Sequence, residues 1–196
     1  MPKIKIIVAC HKPSELPNNS LFLPVQVGAA NSTLELGIQK DNDGQNISKK
    51  NPQYCELTAQ YWAWKNLDAD YYGLCHYRRF LCFKETKDKK NNRNQIEANE
   101  ISEYTKNKFG LEDELTMSRV IEKNDVVAGL PQIVKNLYTP HGAKRTAYEH
   151  WVAHDRALIM REDLDLMLDI LEKYYPELGK DAREYLNDKG IIIFEI

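Results

Sequence analysis

Basic side chains follow an apolar run in the middle of the sequence, and their types suit phosphate chemistry. Residues 71–77 are predicted to form a strand that ends in His76-Tyr77-Arg78-Arg79. Open α/β sheets bind their ligands outside the carboxyl ends of the strands. A guanidinium group matches phosphate oxygens with paired hydrogen bonds. The pattern therefore predicts a phosphate clamp at a sheet edge, and a solvated basic loop is the equally weighted alternative.

The composition is that of an ordinary globular protein. The chain has 196 residues, of which 42% are hydrophobic and 29% are charged, and we expect one domain over residues 1–196. The formal net charge of −2 argues against a general nucleic-acid binder, which is normally basic. The sequence shows neither a membrane-spanning apolar run nor a signal peptide, so we expect a cytoplasmic protein.

The four cysteines, Cys10, Cys55, Cys75 and Cys82, lack the paired spacing of a zinc site. We expect them to be reduced thiols. Cysteine catalysis by Cys75 is not expected although His76 is its neighbour, because successive side chains of a strand point to opposite faces.

Apolar runs and their spacing predict alternating strands and helices. Residues 3–10 and 125–130 are typical of buried parallel strands, and residues 21–27 are extended, with Pro24 marking an edge position. Helices are predicted from residue 51 to a stop at 66–70, over 112–123 with Leu115, Val120 and Ile121 on its apolar face, over 147–159, and over 163–175. Residues 190–196 form a last strand-like run. The alternation predicts an α/β fold with a mostly parallel sheet flanked by helices.

Two polar segments separate these elements. Residues 39–50 are rich in turn formers, and we expect a flexible loop that faces a substrate. The sequence DNDG at 41–44 has calcium-loop character but lacks the glutamate that closes an EF-hand. Residues 84–99 are strongly charged, and we expect a solvated surface insertion.

Two further pairs have metal-binding spacing. Asp68 and Asp70 form an Asp-x-Asp pair, but they precede the strand at 71–77 and so belong to the opposite sheet edge, where helix-end and loop contacts explain them better. His150 and His154 lie one turn apart on a predicted helix, without the glutamate of an HExxH site. We expect no metal site at either pair, and His150 remains a candidate contact to a sugar or phosphate oxygen.

Several blocks of the sequence resemble one family of bacterial glycosyltransferases. The matching segments are KIIVACHKP, LPVQVGAA, DNDGQNISKKNPQYCELTAQYWAWKN and DADYYGLCHYRRF, with looser similarity in YEHW and in the segment that ends in EKYYPE. The family is glycosyltransferase family 111, also known as domain of unknown function 4422. Its members act in capsular polysaccharide and O-antigen synthesis and transfer galactofuranose from UDP-galactofuranose. The resemblance covers most of the chain and is most specific in the central block.

The resemblance implies a GT-A-like α/β fold with the donor nucleotide at the carboxyl ends of the strands. It also implies UDP-galactofuranose as donor, a glycan or polyprenyl-linked acceptor, and a cytoplasmic protein that associates peripherally with the inner face of the membrane. The chain departs from the family pattern at Cys10, where threonine is usual. Family members also continue beyond Ile196, so we expect this chain to be either truncated or a naturally shortened copy.

Carried over position by position, the resemblance singles out nine residues: His11, Asp43, Asn46, Tyr54, Glu56, His76, Arg78, Arg79 and His150. We expect six of them to bind the donor and its diphosphate, namely His11, Asn46, Tyr54, His76, Arg78 and Arg79. Inverting transfer needs a base for the acceptor hydroxyl and positive charge for the leaving diphosphate. We expect Glu56 to be the base, with Asp43 second, and helix capping is the structural alternative for Glu56. Because Arg78 and Arg79 supply positive charge, we expect any requirement for Mn²⁺ or Mg²⁺ to be weak.

Two other functions stay open on the sequence alone. One is a shortened, non-catalytic module that binds a nucleotide sugar or a partner protein, and the early end of the chain motivates it. The other is a metal-dependent hydrolase using His150 and His154, which rests on spacing alone and is weaker.

Overall fold

A computed structural model of the chain describes residues 2–91, 93–130, 132–133, 142, 146–153, 161–188 and 192–193. The described residues form two compact units. The first contains residues 2–89 and 96–128, and the second contains the described residues of 90–95 and 129–193. The parallel sheet and all the predicted site residues except His150 belong to the first unit.

Four strands among the described residues of the first unit form a parallel sheet in the order β3-β2-β1-β4. They are β1 (Ile4–Cys10), β2 (Phe22–Gln26), β3 (Gln39–Lys40) and β4 (Tyr71–His76). The β-branched β1 is central and nearly all buried, as the middle strand of a parallel sheet must be. Pro24 pairs with Val8 of β1, and β3 pairs only with the two residues that follow the proline. The missing N–H of Pro24 therefore interrupts no ladder on the outer side.

Helices cover both faces of this sheet. The helices of the first unit are α1 (Asn51–Tyr54), α2 (Leu57–Asn66), α3 (Glu103–Phe109) and α4 (Glu114–Glu122). Trp62 of α2 packs in a cluster with Ile7, and Met117 of α4 packs in a cluster with Val8. Neighbouring residues of β1 thus serve opposite faces, as the pleat of a strand requires. The predicted α/β fold with a mostly parallel sheet flanked by helices is confirmed.

The long helix predicted before β4 is two helices instead. α1 ends at Tyr54 and α2 begins at Leu57. Between them Cys55 has φ 46° and ψ −127°, a backbone conformation that L-residues rarely adopt. The interruption places Glu56 at the start of α2, directly after a kink.

The predicted strand at 125–130 is wrong. These residues form neither a strand nor a helix, and Val126 is 81% exposed. An apolar run of this kind favours a buried strand, but none of the described strands pairs with it. An apolar, β-branched run alone therefore does not determine whether a segment forms a strand.

The region from 84 to 122 also differs in detail from the prediction. Among its described residues the charged segment 84–99 contains no helix or strand and is mostly exposed, and Asp88 accepts a hydrogen bond from Lys108 Nζ at 2.6 Å. Helix α3 lies outside the predicted elements, although Ser102 caps it. Leu115, expected on the inner face of α4, is 55% exposed, and Met117 takes that place.

The second unit contains the remaining helices. They are α5 (Ala147–Val152), α6 (Arg161–Tyr174) and α7 (Pro176–Asn187), with an antiparallel pair of β5 (Gln132–Ile133) and β6 (Ile192–Ile193). Pro176 is the first residue of α7, where its missing N–H costs nothing. Arg183 Nε of α7 donates to Glu172 of α6 at 2.9 Å. Over the residues that the structure describes, no helix is long and apolar enough to cross a membrane.

We expect Gly28→Ala to destabilise the first unit by about 2–4 kcal/mol, because it combines backbone strain with overlap. Gly28 has φ 64°, and a Cβ placed there would lie 2.6 Å from Asn51 Oδ1. Gly37→Ala is the matched control: its φ is 70°, but nothing lies within 4 Å of the added carbon. It should cost only the strain, about 1–2 kcal/mol. Urea unfolding of both variants measures the difference, and equal losses would contradict the close contact at Gly28.

Candidate functional site

The carboxyl ends of β1 and β4 bring the predicted basic residues to one sheet edge. The two strands are parallel and adjacent, and Ala9 lies opposite His76 in their register. His11 is the first residue after β1, and Arg78 follows β4 by two positions. The sheet topology therefore gathers, within one strand spacing, groups that lie more than sixty residues apart in the sequence.

A tight turn reverses the chain after β4. The Arg79 N–H donates to the His76 carbonyl oxygen at 2.8 Å, and the two residues form an antiparallel bridge around Tyr77 and Arg78. The Tyr77 N–H donates to the carbonyl oxygen of Ala9 at 3.2 Å, which ties the turn to β1. Both arginines are exposed. They are thus held on a defined turn at the end of the sheet.

His76 is a buried titratable group at this edge. Burial lowers its pKa, the Glu56 carboxylate raises it, and the positive charges of Arg78 and Arg79 and the His11 ring lower it, with the net result below the usual value. His76 Nδ1 accepts a hydrogen bond from the Arg78 backbone N–H at 3.3 Å, which assigns the proton of the neutral ring to Nε2. Nε2 lies 3.8 Å from Glu56 Oε1. Near neutral pH, His76 is therefore an uncharged imidazole that presents a proton to Glu56.

Glu56 reaches this edge from the first turn of α2. It occupies the N-cap position, yet its side chain makes no capping hydrogen bond. Its side chain is 45% exposed, whereas that of His76 is 10% exposed. The Glu56 carboxylate therefore lies near the buried His76 ring and is also accessible from solvent.

The Tyr77 ring lies at the centre of the cationic residues. It is only 3% exposed, and the His11 ring meets it edge-on with centroids 5.1 Å apart. Lys12 Nζ is 5.8 Å and Arg78 Cζ is 5.2 Å from its centroid, both within the range of cation–π attraction. The His76 ring centroid is 4.2 Å away. The Tyr77 ring therefore contacts two histidine rings and lies within cation–π range of Lys12 and Arg78.

Asp41, the residue after β3, is fully buried and accepts four hydrogen bonds. Its Oδ2 accepts from the Gly28 N–H at 2.8 Å and from the Thr58 hydroxyl at 2.6 Å. Its Oδ1 accepts from the Ala29 N–H at 3.1 Å and from the Ser48 hydroxyl at 2.5 Å. A buried carboxylate is tolerated when donors surround it in this way. The loop predicted to be flexible is therefore anchored, and the Asp41 carboxylate is occupied by protein donors.

Asp43 and Asn46 lie in the exposed part of the same loop. Asp43 accepts a hydrogen bond from Gln39 Nε2 at 2.8 Å, and Asn46 Nδ2 donates to the carbonyl oxygens of Asn42 and Gly44 at 2.8 and 2.9 Å. Strands β3 and β4 are three places apart in the sheet, which at about 4.8 Å per place is on the order of 14 Å. Asp43 and Asn46 thus belong to the β3 end of the edge, whereas the basic turn belongs to the β4 end.

The remaining two predicted contacts are Tyr54 and His150. Tyr54 is the last residue of α1 and is 45% exposed, directly before the kink at Cys55. His150 belongs to α5 in the second unit, where its N–H donates to the Thr146 carbonyl oxygen at 3.0 Å. His154, the other member of the proposed histidine pair, lies outside the described residues.

Two candidates that the sequence disfavours have structural roles. The Lys3 N–H donates to Asp70 Oδ2 at 2.7 Å, and the Lys3 ammonium group pairs with Asp68, at the amino edge of the sheet. The Cys75 thiol is buried, and burial raises its pKa to about 12, so it is not ionised. Over the described ranges, no cluster of three or more His, Cys, Asp or Glu side chains is arranged to hold a metal ion.

Comparisons with known proteins identify similar chains. A model of the family described as domain of unknown function (DUF4422) matches residues 5–196. The apo structure of WbbM, a bifunctional glycosyltransferase, is similar with a TM-score of 0.85 and 34% sequence identity. The match covers 95% of this chain and 32% of the WbbM chain, so this chain spans about a third of that protein. A comparison with the curated proteins found no match.

We expect Asp41→Asn to reduce the free energy of unfolding by about 2–4 kcal/mol. The NH₂ group of the new amide would face N–H and O–H donors that bind a carboxylate oxygen in the wild type, and those donors would lose their acceptor. Asp43→Asn changes the same functional group in the exposed part of the loop and should stay within about 0.5 kcal/mol. Urea unfolding at neutral pH compares the two variants. A neutral effect of Asp41→Asn would show that the four donors are satisfied without the charge.

Proposed function

This chain belongs to the DUF4422 family, and we propose that it is a glycosyltransferase domain that moves a sugar from a nucleotide sugar to an acceptor hydroxyl. The similarity to WbbM supports the reaction class. The observation that carries the proposal is a half-exposed carboxylate beside a buried neutral imidazole, next to a basic turn, at the carboxyl edge of a parallel sheet. Such an edge is where open α/β folds bind nucleotides.

The basic turn is suited to the leaving group. As the bond from the anomeric carbon to the diphosphate oxygen breaks, negative charge collects on the departing nucleotide diphosphate. Arg78 and Arg79 are exposed on the turn, with His11 and Lys12 beside them at the end of β1. Guanidinium donors bind diphosphate oxygens with paired, charge-assisted hydrogen bonds. We assign the stabilisation of the leaving group to this cluster.

Glu56 is suited to the acceptor. In an inverting transfer the acceptor oxygen attacks the anomeric carbon while its proton passes to a base, and the diphosphate leaves from the opposite face. Glu56 Oε1 is 3.8 Å from the proton-bearing Nε2 of His76, too far for a direct hydrogen bond but near enough for the two groups to interact electrostatically. Asp43, the second candidate, belongs to the β3 end of the edge. We therefore assign the base to Glu56.

We further propose UDP-galactofuranose as the donor and a glycan or polyprenyl-linked sugar of a cell-surface polysaccharide as the acceptor. The support is the resemblance of the central block to glycosyltransferase family 111, which is strongest where the sheet edge is built. Asn46, Tyr54 and His150 remain proposed substrate contacts on the same ground.

We expect Arg79→Ala to weaken UDP binding at least about tenfold, since one charge-assisted contact contributes roughly 1.5–3 kcal/mol. Arg79→Lys keeps the positive charge but cannot form the paired hydrogen bonds of a guanidinium group, so it should recover part of the affinity. Arg119→Ala, at an exposed arginine of α4, is the control and should bind like the wild type. Titration calorimetry with UDP measures all three. An unchanged affinity in Arg79→Ala would remove the clamp from the proposal.

We expect Glu56→Gln to lower kcat by about 10²–10⁴, the usual contribution of a general base, with UDP affinity unchanged. The protein is incubated with UDP-galactofuranose and a synthetic lipid-linked acceptor, and UDP release and the heavier product are followed. Adding EDTA should leave most of the wild-type activity, because the arginines offset the charge of the leaving group. Binding of UDP without any product in the wild type would favour a non-catalytic module.

A further inference from the structure

A chain of hydrogen bonds connects the buried carboxylate of Asp41 to the residue before Glu56. The Thr58 hydroxyl donates to Asp41 Oδ2 at 2.6 Å, and Thr58 Oγ1 accepts from Asn51 Nδ2 at 3.2 Å. The same Asn51 amide group donates to the Cys55 carbonyl oxygen at 2.7 Å. Thr58 is fully buried. The loop after β3 is therefore coupled directly to the kink before α2.

The end of that path is the strained residue of the site. Cys55 has φ 46° and ψ −127°, values that favour glycine and that other residues keep only when their surroundings enforce them. Its carbonyl oxygen accepts from the Asn51 amide and also from the Thr58 N–H at 3.3 Å. The conformation of Cys55 sets the direction in which the chain enters α2, and Glu56 is the next residue. A relaxed Cys55 would point Glu56 elsewhere.

We propose that Asp41, Thr58 and Asn51 form a positioning relay: they hold the kink at Cys55 and so keep the Glu56 carboxylate beside His76. None of the three is assigned contact with substrate. The relay rests on the proposed function for its purpose, since Glu56 is the base only if transfer occurs. The geometric part of the proposal is that the Thr58 hydroxyl determines the position of Glu56, and this part can be tested even if the protein has no transferase activity.

The imidazole of His76 reports on the position of Glu56. The groups that act on His76 are the Glu56 carboxylate on α2, the guanidinium groups of Arg78 and Arg79 on the turn, and the His11 ring after β1. Among these, only Glu56 raises the pKa of His76. If Glu56 moves away, the remaining groups and burial lower that pKa further. The titration of the His76 ring therefore reports whether the Glu56 carboxylate lies beside it in solution.

The experiment is an NMR titration of the histidine ring protons, with the His76 signals assigned by their loss in His76→Asn. Glu56→Gln should lower the pKa of His76 because it removes the attractive charge. Thr58→Val, which replaces the hydroxyl by a methyl of similar shape, should cause at least half of that fall although Glu56 is still present. Thr58→Ser keeps the hydroxyl and should match the wild type. Asn51→Ala, at a half-buried position, should lower the pKa in the same direction and covers the case in which Thr58→Val does not fold.

A His76 pKa that is unchanged in folded Thr58→Val and in Asn51→Ala, but lowered in Glu56→Gln, would overturn the relay. No fall in Glu56→Gln would overturn it as well, because Glu56 would then not lie beside His76. In the transfer assay we expect Thr58→Val to lower kcat about tenfold or more with UDP affinity unchanged, and Thr58→Ser to restore it. If the wild type shows no transfer, the proposed function fails while the titration still decides the relay.

Discussion

The buried charge of Asp41 is the constraint on which the carboxyl edge of the sheet depends. An ionised carboxylate removed from water costs several kcal/mol unless donors replace the lost hydration. The chain supplies two backbone N–H groups from the turn after β2 and two hydroxyls, one before α1 and one inside α2. Three separate segments must therefore converge on one side chain. Their convergence fixes the shape of the edge on which the substrate groups are displayed.

The alternation of side chains along β4 gives its last residues different neighbours. Cys75 and Tyr77 face the cluster that contains α4, whereas His76 faces the side covered by α2 and meets Glu56 there. Lys12 and Arg78 lie within cation–π range of the Tyr77 ring. The Tyr77 and His76 ring centroids are only 4.2 Å apart, so the cations and the carboxylate share one small region of the sheet edge.

Much of the fold follows from the sequence. β1 and β4 are mostly apolar runs, and the position of the basic residues after β4 follows from that pattern alone. The kink at Cys55 could not be predicted, since cysteine carries none of the signal for positive φ that glycine or asparagine gives. The role of Asp41 is equally hidden, because its donors lie 7 to 17 positions away and leave no local pattern. Tyr77 is not predicted for a simpler reason: an aromatic residue at the end of an apolar strand gives no sign in the sequence that cations pack against its ring. The apolar pattern of residues 125–130 predicts a strand, but a strand also needs a neighbouring strand with which to pair, and none of the described strands pairs with them.

The contacts of the site differ in the number of residues that separate their partners along the chain. This separation sets the entropic cost of forming each contact during folding. The hydroxyl contact from Thr58 to Asp41 closes a loop of 17 residues, whereas the contact from Lys3 to Asp70 beside the β1–β4 pair closes one of 67. Closure entropy grows with the logarithm of loop length, so closing the longer loop costs only about 1 kcal/mol more. Contacts between residues that are far apart in the sequence also form more slowly. The contact that shapes the start of α2 is therefore local in the chain, whereas the pairing of β1 with β4, which brings His11 beside His76, needs the longer closure. The two parts of the site thus differ in the length of chain that must be closed to form them.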